Sequence, residues 1–117
     1  MKPIAIKRIY EDPSESDGYR ILVDRLWPRG VSKIRAKLDE WDKEIAPTSD
    51  LRNWFDHKAN RFTEFTTLYE AELDLKHDEL HRLRDIAEQK QITLLYGAKD
   101  KKINHAIVLS KYLNQKS

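Results

Sequence analysis

The chain of 117 residues contains no cysteine. That excludes disulfides and any thiolate chemistry, and it suits a reducing compartment. Glycine (three) and proline (four) are scarce, so this is neither a linker nor a low-complexity chain. No apolar run is long enough for a signal peptide or a membrane span, which points to a cytoplasmic protein with no membrane partner. Charge of one sign is also lacking. Lys and Arg total 22 against 20 acids, a net of +2, so a general electrostatic grip on nucleic acid is not implied. Glycine-rich phosphate loops, a nucleophile elbow and paired-Cys zinc spacing are all absent. Any catalysis would therefore be acid/base or electrostatic, and no cofactor is expected.

Charge is plentiful, at 36% of residues, while apolar residues make up 39%. A single domain spanning 1–117 follows from the length. The bases are unevenly spread. Arg20, Arg25, Arg29, Lys33, Arg35 and Lys37 crowd one segment against a single acid, Asp24. Lys99, Lys101, Lys102, Lys111 and Lys116 crowd another against Asp100. The middle, from Asp39 to Glu79, is acidic. Two basic segments far apart in sequence can meet in space.

Periodicity places strands at Pro3–Tyr10, at YRILVD (19–24) and at QITLLYG (91–97), with another around Trp41–Ile45. Val31–Leu38 is a short helix or an irregular arm. Thr48 or Ser49 caps a short helix bearing Leu51, Trp54 and Phe55, and Asn60 caps the next, with Phe62, Phe65, Tyr69 and Leu73 at helical spacing. The pattern breaks near Lys76 and resumes with Leu80, Leu83, Ile86 and Ala87. Asp100 is expected to cap a final helix carrying Ile103, Ala106, Ile107, Ser110 and Leu113 on one face. Strands alternating with helices predict an α/β domain, a small, mostly parallel sheet flanked by helices. Such sheets take ligands in the crevice beyond their strand C-termini. The clusters DRLWPRGVSK and YGAKDKKINH follow two of the strands.

In the first cluster, Arg25 and Arg29 offer planar forks for phosphate or carboxylate, and Lys33 a point charge. Gly30 would let a ligand approach the backbone. Pairing of Arg25 with a central acid is the plainer reading. Asp24 can orient an arginine or act as a general base where desolvated, or else anchor the structure. Trp27 offers a stacking surface or packs into the core; Trp41 and Trp54 are expected to pack. In the second cluster, Lys99 sits nearest the strand end, while Lys101 and Lys102 are expected to face water. His105 can donate to an anion or move a proton near neutral pH. Asn104 and Tyr96 are candidate wall residues. His57, in WFDH, is a second histidine that the sequence leaves unplaced. His77 and His81 have metal-ligand spacing, but they lie in a charged surface stretch with no third ligand, so no metal is expected.

DGYRILVDRLWPRGVSK (17–33), WDKEIAPTSDLRNWFDH (41–57), NRFTEF, YEAEL and TLLYGAKDKKINHA resemble, in order and over nearly the whole chain, the YeaO-like proteins of the broader domain-of-unknown-function family 488. The resemblance implies a compact α/β domain. Some members of the broader family carry a Cys near the final strand. Here Tyr96 follows TLL, so thiol chemistry does not carry over. The leading expectation is a site for a small phosphorylated or carboxylated ligand. It would be built from Arg25, Trp27, Arg29, Lys33, Lys99 and Asn104, with Asp24 and His105 as acid/base residues. A nucleic-acid-binding or regulatory module is the less favoured alternative. A third is a protein-interaction domain using the acidic helical face around Glu64–Glu79.

Overall fold

A computed structural model describes residues 2–115. Four strands form one sheet: β1 (Ala5–Arg8), β2 (Tyr19–Leu22), β3 (Glu40–Trp41) and β4 (Ile92–Tyr96). All pairs are parallel, in the order β1-β4-β2-β3. Among the described residues the α-helices are α1 (Lys33–Ala36), α2 (Ser49–Phe55), α3 (Phe62–Leu73), α4 (His77–Gln89) and α5 (His105–Asn114). None is long and apolar enough to cross a membrane.

The two-residue period of the strands divides the core. Ile92, Leu94 and Tyr96 alternate with Thr93 and Leu95. The first set joins Ile21, Val23 and the apolar faces of α2 to α5 in the larger cluster. Leu95 and Leu22 face the other way, against Ile9, Val31 and Ala36, with Trp27, Leu38 and Trp41 at the margin. One layer is thus helical, while the other is thin, made of α1 and the loop before it.

Arg20 crosses that thin layer almost fully buried. Its guanidinium donates to Asp17 Oδ2 at 2.6 Å and to the Ala36 carbonyl at 2.7 Å, where α1 ends. Burial acts to raise the Asp17 carboxyl, but the Lys7 ammonium, the Ser14 N–H and Arg20 outweigh it and hold Asp17 below its ordinary value. A base that the sequence counts in the first basic segment is therefore a strut of the sheet.

Several local expectations are corrected. β3 begins at Glu40 and ends at Trp41 instead of reaching Ile45, because Asp42 Oδ1 accepts the Ile45 N–H and turns the chain. Asn60 lies inside a 3-10 turn, and α3 starts at Phe62 without a side-chain cap. Asp100 accepts the N–H groups of Lys102 and Ile103, closing a turn, while Asn104 Oδ1 caps α5 by accepting the Ile107 N–H. On α2 the cap is Thr48.

Beside β3, Glu40, Asp42 and Glu79 converge on the Arg82 guanidinium, at 2.6, 3.5 and 2.7 Å. Arg82 itself supplies the cation that three clustered carboxylates require. Burial and then the neighbouring Glu79 push the Asp42 carboxyl from 3.8 up to about 7. The folded state therefore holds this proton more tightly than the unfolded state does. The stabilisation is complete below about pH 4 and is lost as the pH rises through about 7. Asp42→Asn keeps the acceptor for Ile45 but cannot titrate. Denaturant titrations at pH 4.5, 6 and 8 should show the variant gaining on wild type as the pH rises; a constant difference would refute the assignment.

Candidate functional site

The strand order places β2 and β4 side by side, so the two polar clusters meet at their C-terminal ends. From β2 the chain crosses to β3 through α1 on the thin face. From β3 it returns to β4 through α2, α3 and α4 on the other face. The direction of winding reverses between β2 and β4, where doubly wound sheets open a crevice. A cavity of about 770 Å³ lies there, within the size range of metabolite sites.

Its floor is Asp24. Oδ2 accepts the Gly97 N–H at 2.9 Å, and the Asp24 carbonyl accepts the Trp41 indole N–H at 2.7 Å. Oδ1 is buried without a hydrogen-bond partner among the described residues, with His105 Nε2 3.1 Å away. The same nitrogen lies 2.8 Å from the Val23 carbonyl. A carbonyl can only accept, so Nε2 carries the proton and the ring nitrogen Nδ1 is left without a partner among the described residues. Asp24 and His105, 81 positions apart and each singled out from sequence, are thus in contact.

Four cations line the cavity against two carboxylates, Asp24 and Asp100. They are not equivalent. The Arg25 guanidinium donates from Nε to the Pro47 carbonyl at 3.0 Å and through a second nitrogen to Ala46 at 2.9 Å. It therefore tethers the 43–48 loop. Arg29, Arg52 and Lys99 are exposed and have no acidic or carbonyl partner for their side chains among the described residues. They stand on three separate walls: the loop after β2, the helix α2 and the loop after β4. Asp100 is spent on its turn.

Trp27 lines the cavity, its indole fixed by an N–H bond to the Val31 carbonyl at 2.6 Å and by edge contact with Trp41 at 5.2 Å. Phe55 and Phe65, stacked at 4.2 Å, and Pro47 belong to the same lining. Asn104 reaches the cavity, yet both ends of its amide are engaged: Nδ2 with the Asp100 carbonyl and Oδ1 with the α5 backbone. Lys33 is exposed on α1 and does not line the cavity, and neither do Lys101 and Lys102. Gly30 stands outside the lining; its φ of +78° serves the turn instead. Tyr96 lies in the helical-face core, where burial raises its hydroxyl above the ordinary value. His57 does join the lining, with φ of +55° directly after Asp56 at +49°.

Arg52 is the residue that sequence reasoning passed over. The signal was its spacing: it precedes Phe55 by three on α2, so the two share a face. Attention to the apolar side of that helix hid the cation.

The profile of the DUF488-N3i family, described as the inactive DUF488-N3 subclade, matches residues 3–117. "Uncharacterized protein YeaO" of Escherichia coli (strain K12) is 50% identical over 94% of this chain and 96% of its own length. "Uncharacterized protein Rv3073c" of Mycobacterium tuberculosis (strain ATCC 25618 / H37Rv) is 37% identical over 95% of this chain and 93% of its own. No solved structure matches.

A side chain at position 97 would place its Cβ 2.9 Å from Asp24 Oδ2. Gly97→Ala should cost about 1–3 kcal/mol, as overpacking does. Thermal melts of a double-mutant cycle with Asp24→Ala test the cause, because the penalty should shrink once the carboxylate is gone. An unchanged penalty would mean that the Asp24 contact is not what position 97 depends on.

Proposed function

The chain belongs to the DUF488 family, in the subclade described as inactive, and on that premise we propose that it binds a small anionic ligand rather than transforming one. The carrying observation is the convergence of Arg29, Arg52 and Lys99 on one cavity with no acid assigned to any of them. Exposed cations usually find solvent or a surface carboxylate, and such pairs contribute little. Three unpaired ones from three walls make a clamp. Arginine supplies bidentate donors for phosphate or carboxylate, and lysine adds an unoriented charge. Asp24 and His105 shape the floor beneath the clamp, where the His105 Nδ1 and the buried Asp24 Oδ1 are without a hydrogen-bond partner among the described residues.

The description as inactive favours binding over chemistry. So does the lining, which holds no serine, threonine or cysteine to act as a nucleophile. A polymeric nucleic acid is disfavoured by the use of the bases. Arg20 is buried with Asp17, Arg25 is tied to carbonyls, and Arg35 binds the Tyr10 carbonyl at 3.0 Å and lies 3.5 Å from Asp12. At the cavity that leaves Arg29, Arg52 and Lys99, while Lys33, Lys101 and Lys102 are exposed outside its lining. The acidic helical face is also partly engaged within the fold. Glu72 accepts from the Thr48 N–H and hydroxyl, and Asp74 from the Tyr112 hydroxyl.

Thermal melts against phosphorylated and carboxylated metabolites test the reading. A ligand at 100 times its Kd should add about 2.7 kcal/mol and several degrees of Tm. Arg29→Ala and Arg52→Ala should each weaken binding about 10-fold or more while leaving the ligand-free Tm nearly unchanged. Arg25→Ala should instead lower that Tm. A panel without a single shift would overturn the proposal.

A further inference from the structure

The cavity constrains its ligand beyond charge, and this step rests on the anion-binding reading above. At about 770 Å³ it offers far more room than an inorganic phosphate or a small carboxylate fills. Besides the cations, the lining includes flat and apolar side chains: the Trp27 indole, Phe55, Phe65 and Pro47. Such walls suit a planar ring, which gains by stacking and by leaving water.

The polar groups at depth tell a second thing. Asp24 Oδ2 is taken by the Gly97 N–H, and His105 Nε2 by the Val23 carbonyl beside Asp24 Oδ1. The Asn104 amide is taken at both ends, and Arg25 occupies the Ala46 and Pro47 carbonyls. Readout of a heterocycle edge needs several free donors and acceptors placed against it. Of these groups only Asp24 Oδ1 and His105 Nδ1 are left without a hydrogen-bond partner among the described residues, too few to tell four bases apart.

We propose that the cavity takes a phosphate monoester carrying a flat heterocycle, of the nucleoside 5′-monophosphate class, without discriminating between bases. Arg29, Arg52 and Lys99 hold the phosphate, and stacking along the Trp27 wall holds the ring.

Isothermal titration calorimetry of the full chain tests this with AMP, GMP, CMP and UMP, and with ribose 5-phosphate, inorganic phosphate and adenosine. The four nucleotides should bind within about 10-fold of one another. Ribose 5-phosphate should bind about 5-fold more weakly or worse, the least that a stacked base is worth. Adenosine, lacking the phosphate, should fall further. Trp27→Leu should bring AMP down toward ribose 5-phosphate; the wild-type ligand series decides the matter even where that variant fails to fold. Ribose 5-phosphate binding as tightly as AMP would sink the ring while sparing the anion clamp. One base preferred by more than about 100-fold would sink the indifference to base. No binding by any of the phosphates would sink both this inference and the clamp beneath it.

Discussion

The Asp24 carboxylate is the point on which this architecture turns. Where two parallel strands diverge at their C-terminal ends, the ladder of hydrogen bonds stops and backbone groups are orphaned. Val23 still donates to Leu95, and then the ladder ends. Asp24 takes over with a side chain, accepting the Gly97 N–H. Its other oxygen faces His105, the first residue of α5, and its carbonyl holds Trp41 at the end of β3. One residue thereby connects three strand ends and a helix start. The crevice exists because the strands part, and it keeps a defined floor because this carboxylate spans the parting.

Arginine does similar work elsewhere, which reconciles a high charge content with a small apolar share. Arg8 donates to the Ala98 carbonyl at 2.8 Å, Arg20 to Ala36, Arg25 to Ala46 and Pro47, and Arg84 to Tyr112 at 3.1 Å. Each reaches carbonyls in loops or at helix ends, where secondary structure supplies no donor. A buried carbonyl left without one costs about 1–3 kcal/mol. The planar fork serves two acceptors at once, which lysine cannot do in a fixed geometry. In a domain this size, much of the basic charge is therefore scaffolding.

That is also why the site was only partly legible in the sequence. The apolar runs of β2 and β4 marked two strands of a mostly parallel sheet, though not that they are neighbours, and the clusters after them marked the crevice. Asp24 and His105 were both visible as chemistry-bearing residues at those ends. Which arginine would be a strut was not visible, since Arg20 and Arg25 differ from Arg29 only in what the fold brings beside them. The acceptors, at Ala36, Ala46 and Pro47, are backbone atoms with no sequence signature. The capping of α5 was misread for a related reason: Asp100 and Asn104 are both good caps, and the turn that Asp100 closes decides between them. Lys33 was grouped with the cluster by proximity in sequence, but α1 carries it along the outside of the thin layer, away from the strand ends.

The division between satisfied and unsatisfied groups carries the functional argument. In the depth of the cavity most polar atoms are matched with one another, as burial demands, and the buried Asp24 Oδ1 is the exception. At the rim, three cations are unmatched. An unmatched cation in water costs little, so stability alone neither forbids nor requires this pattern. What the pattern does do is concentrate positive potential over one opening, with low-dielectric aromatic walls beneath it, an arrangement that focuses field lines on an entering anion. An acid placed within reach of Arg29 or Arg52 would have neutralised it at no cost to the fold, and the chain has 20 acids to draw on. Those nearest the cavity are spent instead on the Gly97 backbone and on the turn at Asp100. The fold thus uses its acids to build the crevice and leaves its cations free to fill it.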